Sequence, residues 1–261
     1  MVAFKPYVRD NLQVASGQTV RLDIRLQEGI QLNTLGDGRD FFATMSRRVP
    51  PTGVTPRMPD GRPDFSGYWS QGAGVGDTGP VPQPPELQDW ALSLTKERQA
   101  NDLRDLPSAR CLPSGVVFSI TAGFAQRIVH TPTLLVMLFE GPPPRQVFLD
   151  GRSHPPDPNP TWLGHSVGRW EGDSLVVDSV GFNDKTWLDV TGYPHTEMLH
   201  VVERYRRTDL GHLELELSVE DSGALKRPWT LKRVYNLDPQ EDILESVCAE
   251  NEKDAQHQIG K

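Results

Sequence analysis

The sequence has no hydrophobic run long enough to cross a membrane and no excess of positive charge. Its 261 residues carry a net charge of −8 at pH 7, and the apolar stretches stay well short of the roughly 20 residues that a membrane helix requires. A chain of this charge is repelled by nucleic acids and by anionic membrane surfaces. We therefore expect no nucleic-acid or membrane partner and a small molecule as substrate, while the oligomeric state stays open.

Cysteine is scarce, with only Cys111 and Cys248 in the chain. A disulfide between them would close a long loop and stabilise the fold by about 4–5 kcal/mol if it acts on the unfolded chain. Two buried free thiols are the alternative.

The first residues, Met1 to Pro6, lack the apolar segment of a signal peptide. Glycine and proline are plentiful instead, at 23 residues each, and predict many turns and long loops.

Apolar and polar residues alternate through most of the chain after Cys111, and this pattern predicts β-strands. The predicted strands cover residues 126–131, 134–140, 145–150, 163–170, 174–180, 199–207, 212–220, 228–237 and 243–248. Turn residues such as Asp150-Gly151 separate them at hairpin spacing. Eight or nine such strands predict an all-β fold, an antiparallel barrel of the lipocalin or calycin type. A two-sheet sandwich is the alternative.

The domain organisation follows from changes in composition along the chain. The predicted parts are remnant strands of a small β-domain over 1–35, a proline-rich linker over 36–63, the barrel domain over 64–254 and a tail over 255–261. The alternating stretch Val20–Leu26 supplies a strand of the first part. One helix is predicted between Pro85 and Arg104, because Leu87, Trp90, Ala91 and Leu94 follow helical spacing.

One stretch of five residues, Gly164 to Gly168, matches the G-x-S-x-G pattern that presents a serine nucleophile in many hydrolases. In those enzymes a strand precedes the serine and a helix follows it. Here a turn and a β-branched strand follow instead, so Ser166 is expected on a strand. Either the serine acts on another scaffold or the match is accidental.

Histidines and carboxylates cluster in the middle of the barrel sequence. The histidines are His154, His165, His195 and His200, and the carboxylates are Asp150, Asp184, Asp189 and Glu197. Histidine is suited to proton transfer near neutral pH, and a carboxylate partner fixes its tautomer. Hairpin ends of a barrel can bring such segments to one mouth. We therefore take the cluster as a second candidate for catalysis.

A serine nucleophile needs a base within hydrogen-bonding reach. His165 is adjacent to Ser166, but neighbouring side chains of a strand point to opposite faces. His154 or His195 is therefore the expected base, oriented by Asp150 or Asp184. At most one of Ser166 and His165 should face a cavity.

A metal site is an alternative use of the same residues, and no other cofactor is expected. The segment from His195 to His200 differs from the helical H-E-x-x-H zinc motif, because Glu197 lies two residues after the first histidine. His154, His165 and Glu197 would form a two-histidine, one-carboxylate site if the fold brought them together.

Tryptophans and paired carboxylates supply further candidates. Trp162, Trp170 and Trp187 are expected in the core, but Trp162 and Trp187 flank loops and, with Arg152, would suit substrate binding. Glu197 paired with Asp184 or Asp189 would suit a glycosidase, whose carboxylate separation decides the stereochemistry.

Several stretches resemble known families. The segments Phe4–Arg9 and Ser16–Val20 resemble the last strands of carboxypeptidase-regulatory-like domains. Phe65–Trp69 is similar to the Gly-x-Trp signature of lipocalin-like barrels. Residues 111–254 resemble an uncharacterised family of exported bacterial proteins through four segments: Phe148–Pro155, Pro160–Ser166, Trp170–Val177 and Gly181–Asp189. The resemblance implies one intact domain in a longer exported protein, and export favours the Cys111–Cys248 bridge.

The leading hypothesis is a secreted or periplasmic hydrolase that acts on a small ester or glycoside-like substrate in a barrel-mouth pocket, through serine–histidine or histidine–carboxylate chemistry. The alternatives are a non-catalytic lipocalin-like binding protein and a metal-dependent enzyme.

Overall fold

The computed structural model describes residues 49–71 and 83–248, together with residues 3–4, 17–22, 24 and 28–29. The chain divides into two compact units, Met1–Arg47 and Arg48–Lys261. In the first unit, strand β1 (Ala3–Phe4) pairs antiparallel with strand β2 (Glu28–Gly29). The strand predicted over Val20–Leu26 is not formed at residues 20–22 or 24, and its remaining residues lie outside the described ones.

The second unit is built on nine strands that close into a barrel. In chain order they are β3 (Gly67–Gln71), β4 (Gln126–His130), β5 (Leu134–Phe139), β6 (Arg145–Phe148), β7 (His165–Glu171), β8 (Ser174–Val180), β9 (His200–Arg207), β10 (His212–Glu220) and β11 (Trp229–Leu237). Each strand pairs with its neighbours in sequence, and β11 pairs with β3 to close the ring. The predicted all-β barrel is confirmed.

One neighbouring pair runs parallel. Val147 and Phe148 of β6 pair in parallel register with Ser166 and Val167 of β7, whereas the other neighbours are antiparallel. Strands that alternate in direction close a ring only when their number is even, so nine strands require one parallel pair. Parallel neighbours need a long crossover, which here is residues 149–164. The prediction of a wholly antiparallel barrel is therefore wrong at this pair.

The barrel interior is filled by the alternate residues of its strands. On β10 the side chains of Leu213, Leu215, Leu217 and Val219 are almost fully buried, and the residues between them are exposed or half-buried. This is the period of two that the sequence shows. The same alternation decides which residues of each strand face the interior and which face outward.

Two helices accompany the barrel. Helix α1 (Asp89–Ala100) confirms the predicted helix in a shorter form, but Trp90 is 46% exposed, and the helix buries Ala91 and Thr95 instead. Helix α2 (Val116–Thr121) was not predicted. Five of its six residues are buried, so it has no polar face to produce a helical pattern. A 3₁₀ turn (Pro107–Arg110) lies between the two.

Residues flanking the barrel strands also pack on the barrel. From the segment predicted as a linker, Thr55 donates a hydrogen bond to the carbonyl of Arg207 (3.2 Å), and the carbonyl of Gly53 accepts one from Leu210 (3.0 Å).

The strand predicted over 243–248 is not formed, which corrects that prediction. Cys248 instead forms a disulfide with Cys111. Within the described ranges no helix is both long and apolar enough for a membrane span.

Candidate functional site

Strand β7 carries the two residues that the sequence singled out most strongly, and they face opposite sides. Ser166 is 2% exposed and points into the barrel, whereas His165 is half-buried and points outward. The G-x-S-x-G match therefore lies at the start of a strand that leads through a turn to β8, as the sequence predicts. This is not the strand–turn–helix geometry of a nucleophile elbow.

Both glycines of the match lie in close packing. Gly164 has φ +65°, and a Cβ there would lie 2.8 Å from the carbonyl oxygen of Val180. A Cβ on Gly168 would lie 2.5 Å from Cδ2 of Leu149. Glycine is therefore required at position 164 by the left-handed backbone and the nearby carbonyl, whereas a side chain at position 168 would displace the flexible end of Leu149. The close packing of the β7–β8 hairpin accounts for the pattern without any role in catalysis.

Ser166 belongs to a charged network inside the barrel. Its Oγ accepts hydrogen bonds from Arg145 Nε (3.3 Å) and Nη2 (3.2 Å) and shares one with Ser179 Oγ (2.8 Å). Arg145 also forms a buried ion pair with Glu203, whose carboxylate accepts a hydrogen bond from the Tyr205 hydroxyl (2.6 Å). None of the hydrogen bonds of Ser166 involves an imidazole within the described part of the chain. We call these five residues the interior network.

The interior network is chemically closed. Burial opposes the charge of Arg145, but the paired Glu203 carboxylate raises the pKa of this guanidinium. Burial and the nearby Glu203 charge raise the pKa of Tyr205 well above its ordinary range, so its hydroxyl keeps its proton. The charges and donors of the interior network are thus matched to one another, as a buried ion pair requires.

The outward face of the same strands carries a second polar cluster. Asp178 Oδ1 lies 3.2 Å from Nε2 of His154 and 3.1 Å from Nε2 of His200. Nδ1 of His154 lies 2.9 Å from Nδ1 of His165, and Nδ1 of His200 lies 3.6 Å from a carboxylate oxygen of Glu220. We call His154, His165, Asp178 and His200 the histidine–aspartate cluster. Its four side chains are all half-buried, so solvent reaches them.

Strand register and the crossover together assemble this cluster. Asp178 on β8 is paired with Val167 on β7 and with Val202 on β9, which places it two residues along from both His165 and His200. Residues two apart on a strand share a face. The fourth member, His154, comes from the crossover between the parallel strands β6 and β7. The parallel pair is therefore what gives the chain enough length to reach this face.

The hydrogen bonds define the tautomers of the cluster. A carboxylate only accepts, so His154 and His200 both present an N–H at Nε2 to Asp178. A neutral His154 then accepts at Nδ1, and His165 is the donor of that hydrogen bond. Nε2 of His165 keeps a lone pair, and so does Nδ1 of His200 when that ring is neutral. Burial, followed by the charges of His154 and Arg152, lowers the pKa of His165.

An aromatic and a cationic side chain border the cluster beside His165. The ring of Phe148 stacks on His165 with centroids 5.4 Å apart. The guanidinium of Arg152 lies 3.8 Å from the centre of the Phe148 ring and forms an ion pair with Asp150. Arg152 lowers the pKa of Asp150. Two predicted residues, Asp150 and Arg152, are thus next to the cluster.

Another predicted base, His195, is built into a separate buried turn. It is 2% exposed; its Nε2 accepts from Thr186 Oγ1 (2.6 Å), and its Nδ1 donates to the carbonyl of Thr196 (3.0 Å). Burial lowers the pKa of His195. Both ring nitrogens are occupied within the turn, so the geometry assigns this histidine a structural part.

The remaining predicted carboxylates do not join the cluster. Asp184 and Glu197 are exposed, and within the described ranges neither forms a hydrogen bond or ion pair with His154 or His165. Asp189 caps its own loop through Thr191, and burial raises the pKa of this carboxyl. These three carboxylates are therefore not part of the histidine–aspartate cluster, and the pairing of Glu197 with Asp184 or Asp189 stays a prediction.

The three predicted metal ligands are not brought together by the fold. His154 and His165 lie together, but Glu197 is not with them. Over residues 49–71 and 83–248, no group of three or more His, Cys, Asp and Glu side chains is arranged to hold a metal ion.

The tryptophans divide between core and surface. Trp187 is 3% exposed beneath the guanidinium of Arg98, which lies 4.5 Å from its ring centre. Trp170 packs on Phe65 at 5.4 Å between ring centroids. Trp162 is half-buried. Trp187 is thus a core residue, and Trp162 is the one predicted binding tryptophan that keeps an accessible face.

Sequence reasoning included His200 in the histidine cluster but missed Asp178, although a signal for this aspartate was present. The two-residue turn Gly172-Asp173 joins β7 to β8 and places Asp178 across from Val167. Asp178 is also the one charged residue of an otherwise apolar and serine-containing strand. Register derived from the turn would have placed this aspartate beside His165.

No family model, no curated protein and no solved structure matches this chain. Fold and site define the class on their own: a disulfide-bonded protein with a closed nine-stranded β-barrel and a histidine–aspartate cluster on the barrel's outer face.

Proposed function

We propose that this protein is a hydrolase that uses histidine acid–base catalysis at the histidine–aspartate cluster. The observation that carries the proposal is the pair of imidazoles, His154 and His200, that share one carboxylate oxygen of Asp178 at 3.2 and 3.1 Å. A carboxylate that orients an imidazole fixes its tautomer and stabilises the imidazolium that forms during proton transfer. Here a single carboxylate does so for two rings.

The cluster supports a complete path for the protons. His165 Nε2 takes a proton from a water molecule as that water attacks the substrate carbon. The Nδ1 proton of His165 passes to Nδ1 of His154, and the resulting imidazolium is stabilised by Asp178. His200 takes part as its imidazolium, with Nε2–H on Asp178, and donates its Nδ1 proton to the leaving oxygen. One water molecule thus supplies the hydroxyl of one product. The His154 proton then moves back to Nδ1 of His165, and the proton on Nε2 of His165 returns to His200 through solvent.

Two features favour His165 as the group that meets the water. Its lowered pKa keeps the imidazole neutral near pH 7, the form that accepts a proton. Its Nδ1 is already bonded to His154 at 2.9 Å, so the charge moves away from Arg152 toward Asp178. Arg152 remains beside the ring, where its guanidinium would stabilise negative charge on a substrate oxygen.

Ser166 has no chemical role in this proposal. A hydroxyl that is 2% exposed and accepts two hydrogen bonds from a guanidinium lacks both access and a base. The serine–histidine form of the predicted hydrolase is therefore set aside in favour of histidine–carboxylate chemistry. The substrate class stays the one predicted from sequence, a small ester or glycoside-like molecule.

Export is part of the proposal. The Cys111–Cys248 disulfide is of the kind that persists in oxidising compartments, which supports a secreted or periplasmic location. The resemblance of residues 111–254 to a family of exported bacterial proteins supports the same location.

Two adjacent residues of β7 test the proposal. His165→Gln removes the accepting imidazole, and Ser166→Ala is the matched change one residue away on the opposite face. With p-nitrophenyl acetate as substrate, we expect kcat/KM of His165→Gln to fall at least about 100-fold. Ser166→Ala should keep the wild-type rate. Loss of activity in Ser166→Ala with retention in His165→Gln would replace this mechanism by the serine one.

A binding protein without catalysis is the second candidate, and the position of the available space decides its form. A cavity inside the barrel beside Arg145 and Gln126 measures about 10 Å³, enough for about one water molecule. A much larger cavity lies on the outside of the sheet. A bound ligand is therefore expected outside the barrel and not in a lipocalin-like interior.

A further inference from the structure

A cavity of about 840 Å³ opens on the outer face of strands β9, β10 and β11. The segment Gln83–Glu86 forms its wall, and Trp229 Nε1 holds that segment through a hydrogen bond to the Gln83 carbonyl (2.7 Å). A volume of this size is in the range of small-molecule sites. The space is therefore adequate for a ligand of several rings.

The floor of the cavity is continuous with the histidine–aspartate cluster. Val202, Ser218 and Thr230 are register partners across β9, β10 and β11, and all three line the cavity. Val202 is also the register partner of Asp178 on β8. Since neighbouring strands lie about 4.8 Å apart, the backbone of Asp178 is one strand away from the cavity floor. His200 lies two residues before Val202 on β9 and shares its outer face.

The charges that line the cavity are already paired. Lys232 forms an ion pair with Glu216, and Arg227 forms one with Glu86 at 2.8 Å. Arg204, also in the lining, pairs with Glu171 at 2.7 Å. A charged ligand group would have to displace a partner that is already in place. The site is thus not built to capture an ion.

The same side chains keep hydrogen-bonding capacity for a neutral ligand. A guanidinium has five N–H donors and a carboxylate has about four acceptor positions, of which each ion pair uses a part. The Ser218 and Thr230 hydroxyls add donors and acceptors in the centre of the floor. Pro84 and Pro228 supply apolar surface at the rim. Fixed donors, fixed acceptors and small apolar patches suit the hydroxyl groups and C–H faces of a sugar or polyol.

We infer that this outer cavity binds a neutral, hydroxyl-rich ligand of the sugar or polyol class and holds it against the Asp178–His200 side of the cluster. The claim that this ligand is the substrate rests on the proposed hydrolase function. The claim that the cavity binds such a ligand does not rest on that function. The proposed hydrolase would then act on an ester or glycoside of such a compound.

Two probes that differ by one charge test the inference. p-Nitrophenyl β-glucoside and p-nitrophenyl β-glucuronide share their aglycone and ring, but the second carries a carboxylate. We expect the glucoside to bind in saturation-transfer NMR titrations, and the glucuronide to bind at least tenfold more weakly. Equal or tighter binding of the glucuronide would overturn the assignment to a neutral ligand. Failure of both probes to bind would overturn the sugar class.

A cavity-filling variant tests the location. Thr230 is exposed on the cavity floor, so Thr230→Trp fills the space without altering the core. Thr52→Trp makes the same change at an exposed position outside the cavity. We expect Thr230→Trp to weaken glucoside binding at least tenfold and Thr52→Trp to leave it unchanged. Wild-type binding by Thr230→Trp would overturn the location.

A third variant separates this inference from the proposed function. Asp178→Asn should lose hydrolysis but bind the glucoside as the wild type does, because Asp178 does not line the cavity. Binding without any hydrolysis by the wild type would remove the enzyme proposal alone. Tenfold loss of binding in Asp178→Asn would place the ligand on the cluster and overturn the cavity site.

Discussion

The two faces of the β7–β8 hairpin carry two polar networks of opposite character. Inside the barrel, Ser166 and Ser179 are bonded to Arg145, which is 3% exposed. Outside, one residue earlier on each strand, His165 and Asp178 belong to a half-buried cluster whose imidazoles keep free lone pairs. Both networks use hydrogen bonds of similar length. What separates them is whether any donor or acceptor is left for a ligand.

This difference separates a network suited to holding the fold from the one to which we assign the proposed chemistry. Arg145 on β6 bonds to Ser166 on β7, Ser179 on β8 and Glu203 on β9, so the interior network joins four consecutive strands. It fixes their register directly behind the histidine–aspartate cluster. The outer cluster can therefore place its rings without contributing much to stability itself. Four predictions test this division.

The largest effect is expected from breaking the interior ion pair. Glu203→Leu leaves the Arg145 guanidinium buried without its counter-charge, which typically costs about 3–5 kcal/mol of unfolding free energy. The double variant Arg145→Met/Glu203→Leu removes both charges and should recover most of that loss. Urea denaturation measures both. A Glu203→Leu protein with wild-type stability would show that the pair does not hold the barrel.

Adjacent residues of β8 should separate activity from stability. Asp178→Asn is expected to lower kcat/KM at least about 100-fold by removing the shared acceptor of His154 and His200, with little change in urea midpoint. Ser179→Ala should cost about 1–2 kcal/mol by leaving a hydrogen bond of Arg145 unmade and should keep the activity. The opposite pattern, a stable inactive Ser179→Ala and an active Asp178→Asn, would invert the assignment of the two faces.

Buried histidines should make the fold sensitive to acid. Burial lowers the pKa of His195 in the folded state, so the unfolded chain binds its proton more readily. The corresponding stability is fully present above the ordinary histidine pKa of about 6.5 and is lost as pH falls below it. His130 and His165 have lowered pKa values for the same reason. His195→Gln should therefore show a smaller loss of unfolding free energy between pH 7 and pH 5 than the wild type, as measured by urea denaturation. An equal loss would mean that His195 is not neutral in the fold.

The smallest effect is expected at the border of the cluster. Arg152 contributes to the lowered pKa of His165, after burial and His154. Arg152→Met should therefore raise the pKa of His165, and the rising limb of the pH–rate profile should move to higher pH with it. The exposed Arg169, on the same strand as His165, offers the control Arg169→Met, which should leave the pKa of His165 unchanged. NMR titration of the His165 ring protons measures both variants, and a downward shift in Arg152→Met would contradict the assignment.

The fold could be predicted from sequence because it depends on local patterns. A period of two on β10, with Leu213 to Val219 alternately buried, indicates a strand with one face in a core. Short turns such as Gly172-Asp173 indicate which strands are neighbours. Helix α2 was missed because its six residues, of which five are buried, form too short a run for periodicity to distinguish helix from strand.

The candidate site was predicted only in part because one of its members arrives by a long-range route. Opposite faces for Ser166 and His165 follow from strand geometry alone. His154 reaches the cluster through a crossover whose path depends on the closure of the whole ring. His195 was mistaken for a candidate base because sequence proximity to Glu197 and His200 says nothing about the buried turn that occupies its ring nitrogens.

The odd number of strands has a consequence for how this protein can change. At the parallel pair β6–β7 the chain leaves the sheet for a long excursion, residues 149–164. Insertions and deletions in its exposed middle, around 155–160, do not alter the pairing of any strand. They do alter what borders His154 and Arg152. Exchange of this loop would therefore change the surroundings of the histidine–aspartate cluster without disturbing the barrel. It is the natural starting point for redesigning selectivity.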